Sequence, residues 1–158
     1  MNFTIRDAKI EDVPSILNLI KELAHFEKEA DAVEVSVSDL EKDGFGKTPL
    51  FKIFVAEIAE EIVGIALFYP RYSTWKGPTI HLEDLIVTEQ KRGLKIGSGL
   101  YKKVIEYGYN KGVKRIEWNV LDWNEPAIEF YESTGAKVLR DWDTAQIDRK
   151  SMKKYLND

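Results

Sequence analysis

Two carboxylates, Glu83 and Asp84, interrupt an apolar, β-branched run at residues 82–87. The chain then enters Arg92-Gly93-Leu94-Lys95-Ile96-Gly97-Ser98-Gly99, a basic, glycine-rich turn, beyond which Leu100, Val104 and Ile105 recur at helical spacing. A strand feeding such a turn and then a helix suits an anion. Glycines let the backbone approach a ligand closely, and a helix start leaves N–H groups free to receive it. The simplest reading is a phosphate cradle; the plain alternative is an ordinary strand–helix connection with a solvated basic rim. Gly93, Gly97 and Gly99 lack the GxGxxG spacing, and GxxxxGK[ST] is absent, which argues against the common nucleotide loops. His81, Glu83 and Asp84 could in principle ligate a metal. Strict alternation sends His81 and Glu83 to one face of a strand and Asp84 to the other, so no metal is expected.

The whole chain narrows the chemistry further. It contains no cysteine, which excludes a cysteine nucleophile, disulfides and thiolate metal sites and fits a reducing compartment. Its two histidines, His25 and His81, exclude a histidine-rich metal centre. A formal net charge of −4 argues against a nucleic-acid partner and mildly favours cationic ones. Residues 1–6 lack the apolar stretch of a leader, and no apolar run approaches a membrane span. The expectation is a soluble cytoplasmic protein. At 158 residues it fits a single domain, 1–158, with enough chain to bury a core without staples.

The elements that must position these groups are legible as patterns. Residues 3–5 alternate as a short first strand. Val13, Ile16, Leu17, Ile20, Leu23 and Ala24 form the stripe of an amphipathic helix, with Pro14 in its first turn. The charged end of that helix, residues 25–29, reads by itself as solvated. Ser36 or Ser38 caps a second, short helix that Gly44 and Gly46 stop. Residues 51–58 and 62–69 read as a hairpin about 59–61, with Pro70 ending its second strand and a loop over 71–78 carrying Tyr72 and Trp75. After the helix of about 97–111, residues 114–121 alternate as another strand. Asn124 then caps a short helix with Pro126 in its first turn, and Gly135 ends it. Residues 137–142 read as a further strand, and the polar tail as a last turn of helix. This order describes one mixed α/β domain.

Two separated pieces, LEDLIVTEQKRGLKIGSGLY and NVLDWNEPAIEFYESTGA, together resemble the GNAT superfamily of acetyl-CoA-dependent N-acetyltransferases. LIKELAHFEKEA, DGFG and FYPRYSTWKG extend the resemblance over nearly the whole chain, to the diamine acetyltransferase branch. Within it, YSTWKG and VLDWN look more like the members that acetylate the side-chain amine of thialysine. The spermidine/spermine members are similar but carry an acidic residue where Ser73 stands here. The resemblance implies the GNAT fold, a mostly antiparallel sheet splayed around the acetyl-CoA site and flanked by helices. The loop departs from the family's Arg-x-x-Gly-x-Gly at one place, where Lys95 replaces the first of those two glycines. Retention of Arg92, Gly93 and Gly97 favours a negative φ there, which lysine tolerates.

By the same resemblance, acetyl-CoA is the co-substrate. Backbone N–H groups of Leu85, Ile86 and Val87 receive the thioester carbonyl, and Arg92, Gly93, Leu94, Lys95, Ile96, Gly97 and Ser98 hold the pyrophosphate. Asn124, Glu125, Pro126, Ala127 and Tyr131 form the second CoA-contacting element, with Tyr131 the acid that protonates the departing sulfur. A primary amine near pKa 10 is almost fully protonated at neutral pH, so a base must act first; Glu83 corresponds to it. Phe26, Glu27, Trp75 and Asp84, with Glu83, would hold a small cationic amine. Lacking cysteine, the chain is expected to transfer the acetyl group directly in a ternary complex. Related enzymes are homodimers, and Trp75 and Trp142 are candidates for that surface. The competing readings are a polyamine or protein-lysine acetyltransferase and, from another class, a CoA-binding sensor without activity.

Overall fold

The computed structural model describes residues 2–157. They gather into two compact units, one ending at Asn119 and one beginning at Val120. The first holds a five-stranded sheet of β1 (Thr4–Asp7), β2 (Lys52–Ile58), β3 (Glu61–Ser73), β4 (Gly77–Val87) and β5 (Ile116–Glu117), in sequential spatial order. Every neighbouring pair is antiparallel except β4 and β5, which run parallel. The sheet is therefore mixed and mostly antiparallel, as expected.

Alternation along the strands gives the sheet two apolar faces. Ile53, Val55, Ile65, Leu67 and Ile86 pack against Ile16 and Leu19 of helix α1 (Val13–Phe26). On the other face Phe54 and Phe68 stack with Tyr107 of helix α3 (Ile96–Lys111), their ring centroids 5.1–6.2 Å apart. Gly64 makes close approach possible there, since a Cβ would lie 3.1 Å from a Leu100 methyl. Between α1 and β2, Ser36 caps helix α2 (Val37–Phe45) in a reciprocal box with Asp39, whose N–H donates to the Ser36 hydroxyl at 3.1 Å.

Three expectations need correcting in this unit. Pro70 does not end β3, which runs on to Ser73. Ile80, opposite Pro70, donates its N–H to Arg115 on the β5 side, so the Pro70–Ile80 pair exchanges no ladder bonds. The side toward which proline's missing donor points has lost its strand, because β2 pairs with β3 only as far as Phe68. The supposed loop at 71–78 is consequently the tip of a long β3–β4 hairpin. Finally, the strand expected over 114–121 shrinks to two residues, paired Ile80↔Ile116 and His81↔Glu117. That ladder stops just before a bulge at Glu83, where β4 bends.

In the second unit, Asn124 caps helix α4 (Glu125–Ser133), its side-chain oxygen accepting the Ala127 N–H at 3.4 Å. Helix α5 (Arg149–Asn157) forms the tail, longer than the single turn expected. Residues 137–142 form no strand. Alternating apolar residues make a strand only where a neighbouring ladder receives them, and here no such pairing exists among the described residues.

Candidate active site

The bulge in β4 is what assembles the acidic groups. Leu67 pairs with Asp84 and Phe68 with Leu82, leaving Glu83 as the extra residue. Residues paired across a ladder share a face. Asp84 therefore joins Leu67 on the α1 face, and His81 joins Tyr69 there. Glu83 lies on the same face, because the Tyr69 hydroxyl donates to its Oε2 at 2.8 Å. Strict alternation sends Asp84 to the opposite side; the inserted residue reverses that. Glu27, which caps the C-terminal end of α1, completes the cluster.

The electrostatics follow from this crowding. Burial, then the charges of Glu83 and Glu27, push the Asp84 carboxyl up to about 6. Glu27 is raised as well, by burial and by Glu83. Burial and its bond to Glu83 push the Tyr69 hydroxyl up to about 12, so it stays a donor at neutral pH. Three carboxylates gathered this closely make a region of negative potential that a bound cation would relieve. Among the described residues, no group of three or more side chains is arranged to hold a metal ion.

Behind Glu83 stands support that pattern reading missed. His81, 7% exposed, places its Nε2 3.4 Å from Glu83 Oε2. Its Nδ1 lies 3.4 Å from an Arg71 guanidinium nitrogen, which is also paired with Glu117 at 2.8 Å. The one legible signal was parity, since His81 and Glu83 are two residues apart. Tyr69, Arg71 and Glu117 come from other strands and only the register brings them in. The Ser73 hydroxyl is committed to the hairpin tip, accepting from Trp75 N–H, Lys76 N–H and Arg115, each at 3.1 Å. Trp75, at that tip, is 80% exposed.

Beyond His81 the side of β4 that faces away from β3 carries no strand among the described residues. Thr88 donates its N–H to Val63 O at 2.9 Å, toward β3. Alternation then turns Leu85 and Val87 to the open side and Ile86 into the ladder with β3. Leu85 and Val87 thus offer N–H groups along a strand edge next to the acidic cluster. Arg92 Nε donates to Val87 O on this side at 3.1 Å, and its guanidinium lies 5.2 Å from the centre of the Phe26 ring. Glu22 ties α1 to the start of the connection, accepting from Glu89 N–H at 2.8 Å and from the Thr88 hydroxyl at 3.2 Å.

The basic turn itself corrects one expectation. Lys95 is left-handed, with φ 63°, and not in the negative-φ region. Together with Gly93 at φ 79°, it makes the tight turn that leads into α3. The first intrahelical bond belongs to Gly99, which donates to Lys95 O at 3.0 Å. The N–H groups of Ile96, Gly97 and Ser98 precede it and have no carbonyl within the helix to satisfy. These donors, a positive helix end and Arg92 suit a pyrophosphate chemically. Asn124, Glu125, Pro126 and Ala127 form the capped start of α4 in the second unit, and Tyr131 lies on that helix with its ring 5.4 Å from Phe130.

Comparison with known proteins identifies the family. The Acetyltransferase (GNAT) family matches residues 14–136. A thialysine N-epsilon-acetyltransferase of Bos taurus is 41% identical, the match covering 94% of each chain. One of Caenorhabditis elegans is 36% identical over 99% of each. The spermidine/spermine N(1)-acetyltransferase-like protein 1 of Homo sapiens is 36% identical over 95% of this chain, though over only 23% of its own. An integron cassette protein from the mobile metagenome of V. cholerae shares the fold, with a TM-score of 0.80 at 21% identity over 100% of this chain and 99% of its own. The chain belongs to the GNAT family of acetyltransferases. It is an N-acetyltransferase, transferring acetyl to an amine, and the co-substrate of its family is acetyl-CoA. No helix among the described residues is long and apolar enough to cross a membrane.

Proposed function

We propose that this enzyme acetylates the primary amine of a small cationic substrate, thialysine or a related lysine analogue or diamine. The observation that carries this reading is the β4 bulge, which gathers Glu83 and Asp84 on one face beside Glu27. The names of the full-length relatives support the choice of amine.

Bound acetyl-CoA supplies the acetyl group as an activated thioester. Arg92 and the N–H groups at the start of α3, with Gly93, Leu94 and Lys95 forming the turn, hold its pyrophosphate; Asn124 to Ala127 form a second contact. Asp84, Glu27 and Phe26 hold the ammonium end of the substrate, and Trp75 borders it. Glu83, directly or through one water, takes the proton that keeps the amine from acting as a nucleophile. N–H groups of Leu85 and Val87 face the charge that develops on the carbonyl oxygen, fixed donors that need no rearrangement. Tyr131 delivers a proton to the leaving sulfur. In the same reading the chain is one domain, works in the cytoplasm and forms a homodimer; Trp75 and Trp142, 80% and 69% exposed, suit that surface.

Kinetics of two variants test the assignment. Glu83→Gln loses most of its rate at acidic pH and recovers toward wild type as the pH nears the amine's pKa, because solvent then does the base's work. Tyr131→Phe lowers kcat at least tenfold while the KM for acetyl-CoA changes less than twofold. A pH-independent loss in the first variant removes Glu83 as the base. An unchanged kcat in the second removes Tyr131 as the acid.

A further inference from the structure

Glu83 cannot place its own carboxylate, since it is the unpaired residue of a bulge and is half-exposed, its side chain retaining 50% accessibility. One hydrogen-bond donor and one imidazole nitrogen reach it, both at the same oxygen. The Tyr69 hydroxyl lies 2.8 Å from Oε2, and His81 Nε2 lies 3.4 Å from Oε2. No donor from the described residues is assigned to Oε1.

The state of His81 follows from its other nitrogen. Arg71 approaches Nδ1 at 3.4 Å, and a guanidinium can only donate. The tautomer in which Nδ1 accepts from Arg71 carries its ring N–H on Nε2, the nitrogen that faces Glu83. Arg71 is in turn held by Glu117 at 2.8 Å, on the strand beyond β4. The imidazole is buried, with its ring centroid 5.4 Å from that of Tyr69. A relay thus runs Glu117, Arg71, His81, Glu83, with Tyr69 closing it from the other strand.

We propose that His81 and Tyr69 are positioning residues for the acetyl transfer. Tyr69, donating to Oε2 of Glu83, and His81, whose Nε2 stands against the same oxygen, fix the carboxylate so that Oε1 receives the amine proton, and Arg71 favours the His81 tautomer that presents Nε2–H to it. The proposal rests on the reading of Glu83 as base.

The test is a set of double-mutant cycles at neutral pH, with thialysine as the amine and melting temperature recorded for every variant. His81→Phe keeps a buried ring and removes the donor; Tyr69→Phe removes only the hydroxyl. Each should lower kcat about tenfold, with the amine KM changing less than threefold. In the Glu83→Gln background neither should lower kcat further, because the group they position no longer accepts a proton. His81→Gln, whose amide N–H can occupy the Nε2 position, should recover most of the loss. If either Phe variant keeps its full effect in the Glu83→Gln background, or neither affects kcat in the wild type, the positioning role is overturned while Glu83 stays the base. If Glu83→Gln alone retains wild-type kcat, the base assignment fails and the proposal falls with it. Tyr69→Phe carries the test should His81→Phe not fold.

Discussion

Asp84 shows how much a single side chain's surroundings decide. Its carboxyl is pushed from an ordinary value of 3.8 up to about 6, first by burial and then by Glu83 and Glu27. The folded protein therefore holds this proton more tightly than the unfolded chain does. The resulting cost to stability is absent below pH 3.8, grows as the pH rises through 6, and is complete above it, reaching roughly 3 kcal/mol. Asp84→Asn should thus melt several degrees above wild type at about pH 8, with the gap closing by about pH 4, while the KM for the amine rises. Equal melting-temperature differences at both pH values would contradict the linkage. In the proposed reading, a bound cationic amine relieves this cost. Glu83 and Asp84 were legible as candidates because carboxylates within an apolar run are conspicuous. Their shared face was not, because a bulge belongs to the pairing of two strands and leaves no mark on the one that carries it.

At the level of elements, local signals and pairing signals behaved differently. The α1 stripe, the Ser36 cap and the Asn124 cap depend on neighbours a few residues away, and each was found where its pattern put it. Pro70 was misread because its effect depends on how far β2 extends, which is set at Phe68 by the sheet. Tyr69, Arg71 and Glu117 escaped notice for the same reason: each is ordinary on its own strand and acquires a role only across the ladder. Lys95 is a subtler case. Glycine at this position serves the left-handed turn, and lysine keeps the conformation at a cost. Lys95→Gly should stabilise the protein by about 1 kcal/mol in urea denaturation. The N–H groups of Ile96, Gly97 and Ser98 would stay in place, so the KM for acetyl-CoA should change less than threefold. No gain in stability would mean that the lysine side chain repays its backbone strain through contacts of its own.

On the scale of the molecule, the bulged strand β4 carries the proposed acid–base group and edge donors, while the turn that follows suits an anion. In the proposed reading this division lets a chain of net charge −4 serve both a cationic amine and a phosphate-bearing co-substrate, because the acidic cluster and the basic turn lie at successive stations along one stretch. Ser73, which stands where the spermidine/spermine members carry an acidic residue, commits its hydroxyl to holding the hairpin tip. The most direct test is amine-dependent thiol release from acetyl-CoA with thialysine, lysine, spermidine, spermine and putrescine at matched concentrations. The proposed substrate class predicts the highest kcat/KM for thialysine or lysine. Preference for spermidine or spermine, or the absence of turnover with all five despite measurable acetyl-CoA binding, would contradict it.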